Sequence, residues 1–321
     1  MNGFNVLMLE AAGLAILLFV LLAFLLLRKT RARMPQTPPA PPRRTAPAYP
    51  AAIAEPAPPP VEQPPYAPWR LITRTLANPG SAGGPLYRLR LEPEESLPRW
   101  RAGAVAHVYC GPAREVLEPG AVASSLAGDY MVGSLPGEGA VELVVRRVPT
   151  TGPNGGRRSG WLCEEIAPDD RVALALRDDP AFMPPADDVP LILIGNATGI
   201  AGLHAHIKAR PTGTRNWLIF GDRNSADDEA LAAEITEWVA TGHLERCDLV
   251  LPGDGRERRL VTDQIADARA PILDWTLAGS AIYVCGSDLM GDDVHAALTD
   301  VLGQGVLEAM DEAGLYRRSV Y

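Results

Sequence analysis

The hydrophobic pattern divides the chain into parts with different periodicity. In the C-terminal half, short continuous apolar runs end near glycine and alternate with amphipathic segments. Continuous apolar runs are typical of strands buried on both faces, so this alternation predicts a doubly wound parallel sheet. The predicted strands are residues 189–194, 216–221, 247–251 and 281–286, and the predicted helices include residues 227–240 and 292–302.

The segment before this part has a different pattern. Short β-rich runs are separated by Gly and Pro, which is typical of an all-β domain. These runs are residues 69–76, 86–91, 104–109, 141–148 and 172–176.

The apolar pattern of the N-terminal segment predicts a membrane anchor. After a five-residue tail (1–5), residues 6–27 are apolar except for Glu10, and four Lys and Arg residues follow between positions 28 and 33. An apolar run of this length can span a bilayer, and the positive charges predict that the C-terminal side is cytoplasmic. A cleaved signal peptide is the alternative, but its charge order would be reversed and no small-residue cleavage site follows. We therefore expect a single-pass protein of a bacterial-type inner membrane.

A linker follows the predicted anchor. Residues 28–68 are first basic and then proline-rich, and fourteen of the 31 prolines lie in residues 34–68. Such a composition predicts a semi-rigid polyproline spacer rather than a folded domain. The remaining residues 69–321 are numerous enough for two domains.

Composition and residue spacing argue against nucleic-acid binding and against a metal site. The net charge of −9 disfavours a nucleic-acid partner. The four cysteines and five histidines have no metal-ligand spacing, so we predict no metal site.

One glycine turn indicates chemistry. Residues 195–199, Gly-Asn-Ala-Thr-Gly, lie between a predicted buried strand and a helix. A glycine turn at a helix N-terminus is suited to bind phosphate groups. The spacing differs from that of the dinucleotide fingerprint, and such turns also occur without a ligand. On these residues alone, both interpretations stay open.

Five segments together resemble one protein family. They are PLILIGNATGIAGLHAHIKAR, RNWLIFGDRN, GHLERCDLVL, AIYVCGSDL and the terminal YRRSVY. In order and spacing they resemble the ferredoxin–NADP reductase superfamily, in the branch of sulfite reductase flavoprotein and the diflavin NADPH–haemoprotein reductases. The resemblance implies an antiparallel FAD-binding β-barrel at residues 69–185 and an NADP-binding α/β domain at residues 186–321. It further implies hydride transfer from NADPH to FAD and electron transfer to a separate acceptor.

The resemblance also implies site residues. Cys285 and Ser319 match two positions that assist hydride transfer, and Tyr321 matches the aromatic residue that covers the flavin. Arg157 and Arg158 would add positive charge at the flavin diphosphate. The implied cofactor contacts are Tyr130, Ser134, Gly156, Ser159, Gly160, Gly195, Thr198, Gly199, Arg223, Arg258 and Gly286.

The chain departs from the family at several of its characteristic positions. Gly128 replaces an arginine that pairs with the flavin diphosphate, and Met131 replaces a serine near the flavin ring. Ser319 stands where the family has an aspartate, and Pro252-Gly253 stand where a Ser-Arg pair recognises the 2′-phosphate of NADPH. Ala197 replaces a glycine of the nucleotide loop, which could crowd the diphosphate.

Three functions are compatible with this mixture. The first is a membrane-anchored FAD/NADPH reductase that serves a separate membrane or peripheral acceptor. The second is a degenerate docking subunit that binds cofactor weakly or not at all. The third is a flavin reductase that uses NADH, because some of the residues that select NADPH in the family are missing here. In the first case we expect weakened FAD binding and little discrimination between NADPH and NADH.

Overall fold

Six antiparallel strands form the first half of the structure. The computed structural model describes residues 65–79, 84–118, 126–149, 156–221, 229–250 and 259–321. The strands pair in the order β4-β3-β6-β1-β2-β5, and a bridge between Val132 and Leu143 joins the two edges, so the sheet closes on itself. The strands are β1 (Ala67–Leu76), β2 (Leu86–Pro93), β3 (Val105–Tyr109), β4 (Ala127–Met131), β5 (Val141–Arg146) and β6 (Arg171–Arg177).

Alternate residues of these strands fill the interior of the barrel. In β2, Leu89 and Leu91 are fully buried, whereas the intervening Arg90 is not. This period of two is the pattern of a sheet with one apolar face. Two short helices, α1 (Arg114–Leu117) and α2 (Arg157–Gly160), lie between strands, and a π-helical turn, Trp161–Glu165, follows α2.

Five parallel strands form the second half. They pair in the order β11-β10-β7-β8-β9, and helices connect most of them, as the alternating pattern predicts. The strands are β7 (Leu191–Asn196), β8 (Asn216–Gly221), β9 (Arg246–Val250), β10 (Ala281–Gly286) and β11 (Tyr316–Val320). The helices are α3 (Ile200–Ala209), α4 (Glu229–Thr241), α5 (Val261–Asp267), α6 (Arg269–Leu277), α7 (Asp288–Leu302) and α8 (Gln304–Glu312).

The central strand β7 is buried on both faces. Leu191 and Leu193 belong to one hydrophobic cluster, and Ile192 and Ile194 belong to another on the opposite face. A parallel sheet covered on both faces produces the continuous apolar run seen in the sequence.

The barrel and the parallel sheet share a hydrophobic core. Leu86, Met131 and Val144 of the barrel lie in the same cluster as Leu203 and Ile207 of α3. Residues 61–321 form one compact unit. The predicted domain boundary at residues 185 and 186 falls in the connection between β6 and β7, and it stays a prediction.

The structure adds elements that the hydrophobic pattern did not predict. These are the strands β4 and β11 and the helices α1, α5, α6 and α8. The predicted anchor and nearly all of the predicted linker lie outside the described residues. Among the helices that are described, none has the length and hydrophobicity needed to cross a membrane.

Candidate functional site

The candidate site lies at the carboxyl ends of β7 and β10. These strands are neighbours in the sheet, and their register places Cys285 beside Gly195. The chain continues from β7 to β8 on one side, whereas β10 lies on the other, so this is the point at which the strand order reverses. Ligands of open α/β sheets bind at such a point.

Three of the predicted glycines are required here by close packing. A Cβ atom on Gly199 or Gly195 would lie 2.1 Å or 2.6 Å from the carbonyl oxygen of Cys285. Gly286 has φ +151°, and its Cβ atom would lie 2.2 Å from Asn196 Oδ1. These glycines therefore allow two loops to approach each other, and their contact with a nucleotide stays a prediction.

The loop after β7 is tied to two other segments. The backbone N–H of Ser287 donates to Asn196 Oδ1 at 3.2 Å. The hydroxyl of Tyr321 donates to Thr198 Oγ1 at 3.2 Å, and the backbone N–H of Tyr321 donates to the carbonyl of Gly286 at 3.0 Å. The last residue of the chain is thus fixed against the predicted nucleotide loop.

Met131, Cys285 and Ser319 meet at the junction between the barrel and the parallel sheet. Cys285 is paired with Ser319 in the register of β10 and β11. The hydroxyl of Ser319 donates to Met131 Sδ at 3.4 Å. A Cβ atom on Gly202 would lie 2.9 Å from Met131 Cε and 3.2 Å from Cys285 Sγ, so both side chains pack against this glycine. The fold therefore brings together the three positions that the resemblance marked as polar in the family.

The thiol of Cys285 is fully buried. Burial raises the pKa of Cys285 to about 12, and a hydrogen bond with the Tyr321 hydroxyl opposes this shift. Burial likewise raises the pKa values of Cys110, Cys163 and Cys247 to about 12. At neutral pH the four groups are thiols, so Cys285 is suited to weak hydrogen bonding and not to attack as a thiolate.

Gly128 and Tyr130 lie on the same face of β4, and Arg158 lies against them. A Cβ atom on Gly128 would lie 3.1 Å from both Cδ and Nη1 of Arg158 and 3.4 Å from Tyr130 Cε2. The Arg158 guanidinium donates from Nη1 to the carbonyl of Ala127 at 2.8 Å. The cation beside Tyr130 therefore comes from α2. Sequence reasoning named Arg158 only as additional charge, because nothing in the sequence relates α2 to β4.

Ser159 and its neighbours form the turn that leads into α2. Gly156 has φ +68°, and its Cβ atom would lie 2.3 Å from the carbonyl oxygen of Val148. The hydroxyl of Ser159 accepts from the backbone N–H of Val148 at 3.0 Å and donates to the carbonyl of Gly156 at 3.3 Å. Gly160 donates its N–H to the same carbonyl at 2.7 Å. These residues hold the turn in place, and their contact with FAD stays a prediction.

The remaining predicted residues lie elsewhere. The hydroxyl of Ser134 donates to the carbonyl of Ala140 at 2.8 Å and accepts from the N–H of Glu142 at 2.9 Å. Since the side chain is buried and engaged in this way, the geometry does not favour its predicted contact with a cofactor. Arg223 and Arg258 lie outside the described residues.

The donors of this site fit the implied cofactors in part. Arg158 supplies a cation beside Tyr130, as a flavin dinucleotide requires. Thr198 and the glycine loop lie where a pyridine dinucleotide would bind in an open sheet. The thioether of Met131 and the hydroxyl of Ser319 offer less polarity than the serine and carboxylate that the resemblance implies.

Comparison with known proteins agrees with this fold. A ferredoxin–NADP+ reductase from Plasmodium falciparum superposes with a TM-score of 0.63 over 80% of this chain and 96% of that chain, at 14% identity. A structure of a point mutant of that reductase, with 2'P-AMP, gives a TM-score of 0.61 at the same identity. At this identity, the likeness establishes the fold: a β-barrel followed by an α/β domain.

Sequence comparison adds a closer relationship. The flavoprotein alpha-component of NADPH sulfite reductase from Mannheimia succiniciproducens is 31% identical over 212 residues, which are 60% of this chain and 36% of that protein. The same component from Vibrio vulnificus is 32% identical over 163 residues, covering 49% of this chain and 26% of that protein. The matched part of the chain thus spans about a quarter to a third of the length of these relatives. No family model matches it.

The predicted resemblance is confirmed. The chain has the fold of the ferredoxin–NADP reductase superfamily, and it is related in sequence to the flavoprotein component of sulfite reductase.

Proposed function

We propose that the described part of the chain is an oxidoreductase module that binds FAD and NADPH and passes electrons to a separate acceptor. The observation that carries this proposal is the meeting of Met131, Cys285, Ser319 and Tyr321 beside the nucleotide loop. FAD, when bound, would accept the hydride that NADPH carries.

The residues of the site have distinct proposed roles. Arg158 and Tyr130 bind the flavin side of the site, and Thr198 with the glycine loop binds the nucleotide side. The buried thiol of Cys285 stays protonated and helps to orient the reacting groups. Tyr321 covers the site, and its hydroxyl would have to leave Thr198 to make room for a nicotinamide ring. Such a hydrogen bond contributes about 1 kcal/mol, so its loss is a small barrier.

A docking subunit without catalysis is the second candidate. The specific observation in its favour is the contact between Met131 and Ser319, which places a buried thioether and a neutral hydroxyl where the family has a serine and a carboxylate. A site of this kind stabilises a developing positive charge poorly.

We further propose that residues 6–27 anchor the protein and that the acceptor is membrane-associated. The apolar run and the basic residues after it support this proposal. If the anchor is absent, alkaline carbonate should release the full chain from the membrane fraction, and that result would remove the proposal.

Anaerobic flavin reduction tests the proposed function. The full chain is loaded with FAD, mixed with NADPH and followed by visible absorbance. We expect bleaching of the flavin band, slower bleaching in Cys285→Ala and faster bleaching after deletion of Tyr321. Ser319→Asp should also speed the reaction, since a carboxylate favours the developing positive charge. Cys247→Ala is the matched control, because Cys247 lies in β9 at the far edge of the sheet.

Two results would change the assignment. Failure of the full chain to bind FAD at micromolar concentrations would favour the docking subunit. Equal rates with NADPH and NADH would favour the third function, an NADH-using reductase.

A further inference from the structure

We propose that Arg158 is the residue that binds the diphosphate of FAD, in place of an arginine at position 128. This inference rests on the proposed function, and it names the residue that makes FAD binding possible in a chain whose signature arginine is absent. The cation that binds the diphosphate would then come from helix α2 and not from strand β4.

The first support is the volume beside Gly128. Gly128 is buried, and a side chain at this position would point directly at Arg158, since its Cβ atom would lie 3.1 Å from Arg158 Cδ and Nη1. The guanidinium of Arg158 therefore stands in the space that a side chain at position 128 would enter. Glycine at position 128 leaves room for this approach, and a larger side chain there would have to displace Arg158.

The second support is that the Arg158 guanidinium has donors available for an anion. Its side chain is exposed, and its hydrogen bond is from Nη1 to the backbone carbonyl of Ala127. In the part of the chain that the structure covers, no carboxylate pairs with it, so its remaining donors can bind an anion. Burial raises the pKa of Tyr130, and the positive charge of Arg158 opposes that rise.

The neighbouring Arg157 provides a matched comparison. It is exposed in the same helix and carries the same charge, but within the described residues its side chain forms no hydrogen bond or ion pair. If net positive charge near α2 were sufficient, both arginines would matter equally. If the position beside Gly128 and Tyr130 determines the affinity for FAD, only Arg158 contributes to it.

The test compares FAD with riboflavin, which has the same ring system and no phosphate. Binding to the full chain is measured by flavin fluorescence in the wild type, Arg158→Gln, Arg157→Gln, Gly128→Arg and the double variant Gly128→Arg/Arg158→Gln. Glutamine keeps an N–H donor for the Ala127 carbonyl and removes the charge. We expect Arg158→Gln to weaken FAD binding by about 10- to 100-fold and to leave riboflavin binding unchanged. Arg157→Gln should change FAD binding by no more than about twofold.

The double variant checks that one cation can replace the other. Gly128→Arg should restore FAD binding when Arg158 is absent and add little when it is present, because two guanidinium groups would then compete for one space. Wild-type affinity for FAD in Arg158→Gln would overturn the inference and leave the proposed function intact. An equal loss of riboflavin and FAD would also overturn it, since it would show a structural role. A wild-type chain that binds neither ligand would remove the proposed function and the inference together.

Discussion

Ala197 carries the clearest local strain in the predicted nucleotide loop. Its backbone has φ +49°, in the left-handed region that glycine adopts easily and alanine does not. The only other described non-glycine residue with positive φ is Asp169, at +74°. The family glycine at position 197 is therefore explained by backbone conformation, and the alanine keeps that conformation at a cost in stability.

Ala197→Gly should stabilise the protein. Relief of the left-handed strain outweighs the added freedom of the unfolded chain, so the free energy of unfolding should rise by up to about 1 kcal/mol. Urea denaturation measures this change. Ala205→Gly, in the interior of α3, is the control and should lower the same free energy by about 1 kcal/mol or more. Equal destabilisation by both substitutions would contradict the strain argument.

The sequence and the resemblance name candidate site residues, and the structure adds which of them lie in contact. Cys285 and Tyr321 were named from the resemblance, and the structure adds that the Tyr321 hydroxyl joins Thr198 and Cys285. The contact between Met131 and Ser319 spans 188 positions, and the contact of Arg158 with Gly128 depends on how α2 packs on β4. Such long-range contacts follow from tertiary packing and leave no local pattern.

Among the elements, buried strands were predicted best. The predicted ranges of β8 and β10 agree with the observed Asn216–Gly221 and Ala281–Gly286, because strands buried on both faces are continuously apolar. Strand β11, YRRSV, is an edge strand with polar residues and lacks that pattern. Helix α6 begins at Arg269 and has Pro271 in its first turn, where proline is tolerated although it usually indicates a break.

Helix α3 places a histidine in the core between the two halves. His206 is fully buried, with its ring centroid 4.9 Å from that of Phe182 and 5.1 Å from that of Tyr283. Burial lowers the pKa of His206 to about 3, and Arg210 and Arg317 act in the same direction. The unfolded histidine titrates near ~6.5, so below that pH the unfolded chain binds a proton that the folded chain excludes. The stability that depends on neutral His206 is therefore present above about pH 6.5 and lost as the pH falls towards 3.

The substitution His206→Leu should remove this pH dependence. Between pH 6.5 and pH 5, the free energy of unfolding of the wild type should fall by about 1.5–2 kcal/mol relative to that of the variant. Urea denaturation at several pH values measures the difference. Phe182→Leu changes the same cluster without a titratable group, and its effect on stability should not vary with pH. A constant gap between wild type and His206→Leu would show that His206 titrates normally.

At the scale of the whole molecule, the barrel and the parallel sheet are held together mainly by apolar packing. The shared cluster includes Met131 and Val144 from the barrel and Leu203 from α3. Polar contacts add to it: Lys208 pairs with Glu138 at 3.1 Å, and Arg317 donates to the carbonyls of Pro180 and Ala181 at 3.2 and 3.1 Å. Partly exposed polar contacts of this kind contribute little, so the apolar cluster should decide whether the two halves unfold together.

We expect the two halves to unfold in one cooperative transition, because separating them would expose this cluster to water. Ile272 is fully buried in a cluster that belongs to the α/β half alone, and Ile272→Ala should cost about 2–5 kcal/mol. Hydrogen exchange of the full chain in increasing urea reports the midpoint of each strand separately. In Ile272→Ala the midpoints of β2 in the barrel and β7 in the sheet should fall by the same amount, and Leu89→Ala in the barrel should likewise lower both. A midpoint of β2 that stays at its wild-type value in Ile272→Ala would mean that the barrel folds independently of the α/β half. The site at the junction of the barrel and the parallel sheet would then form only when two stable domains dock.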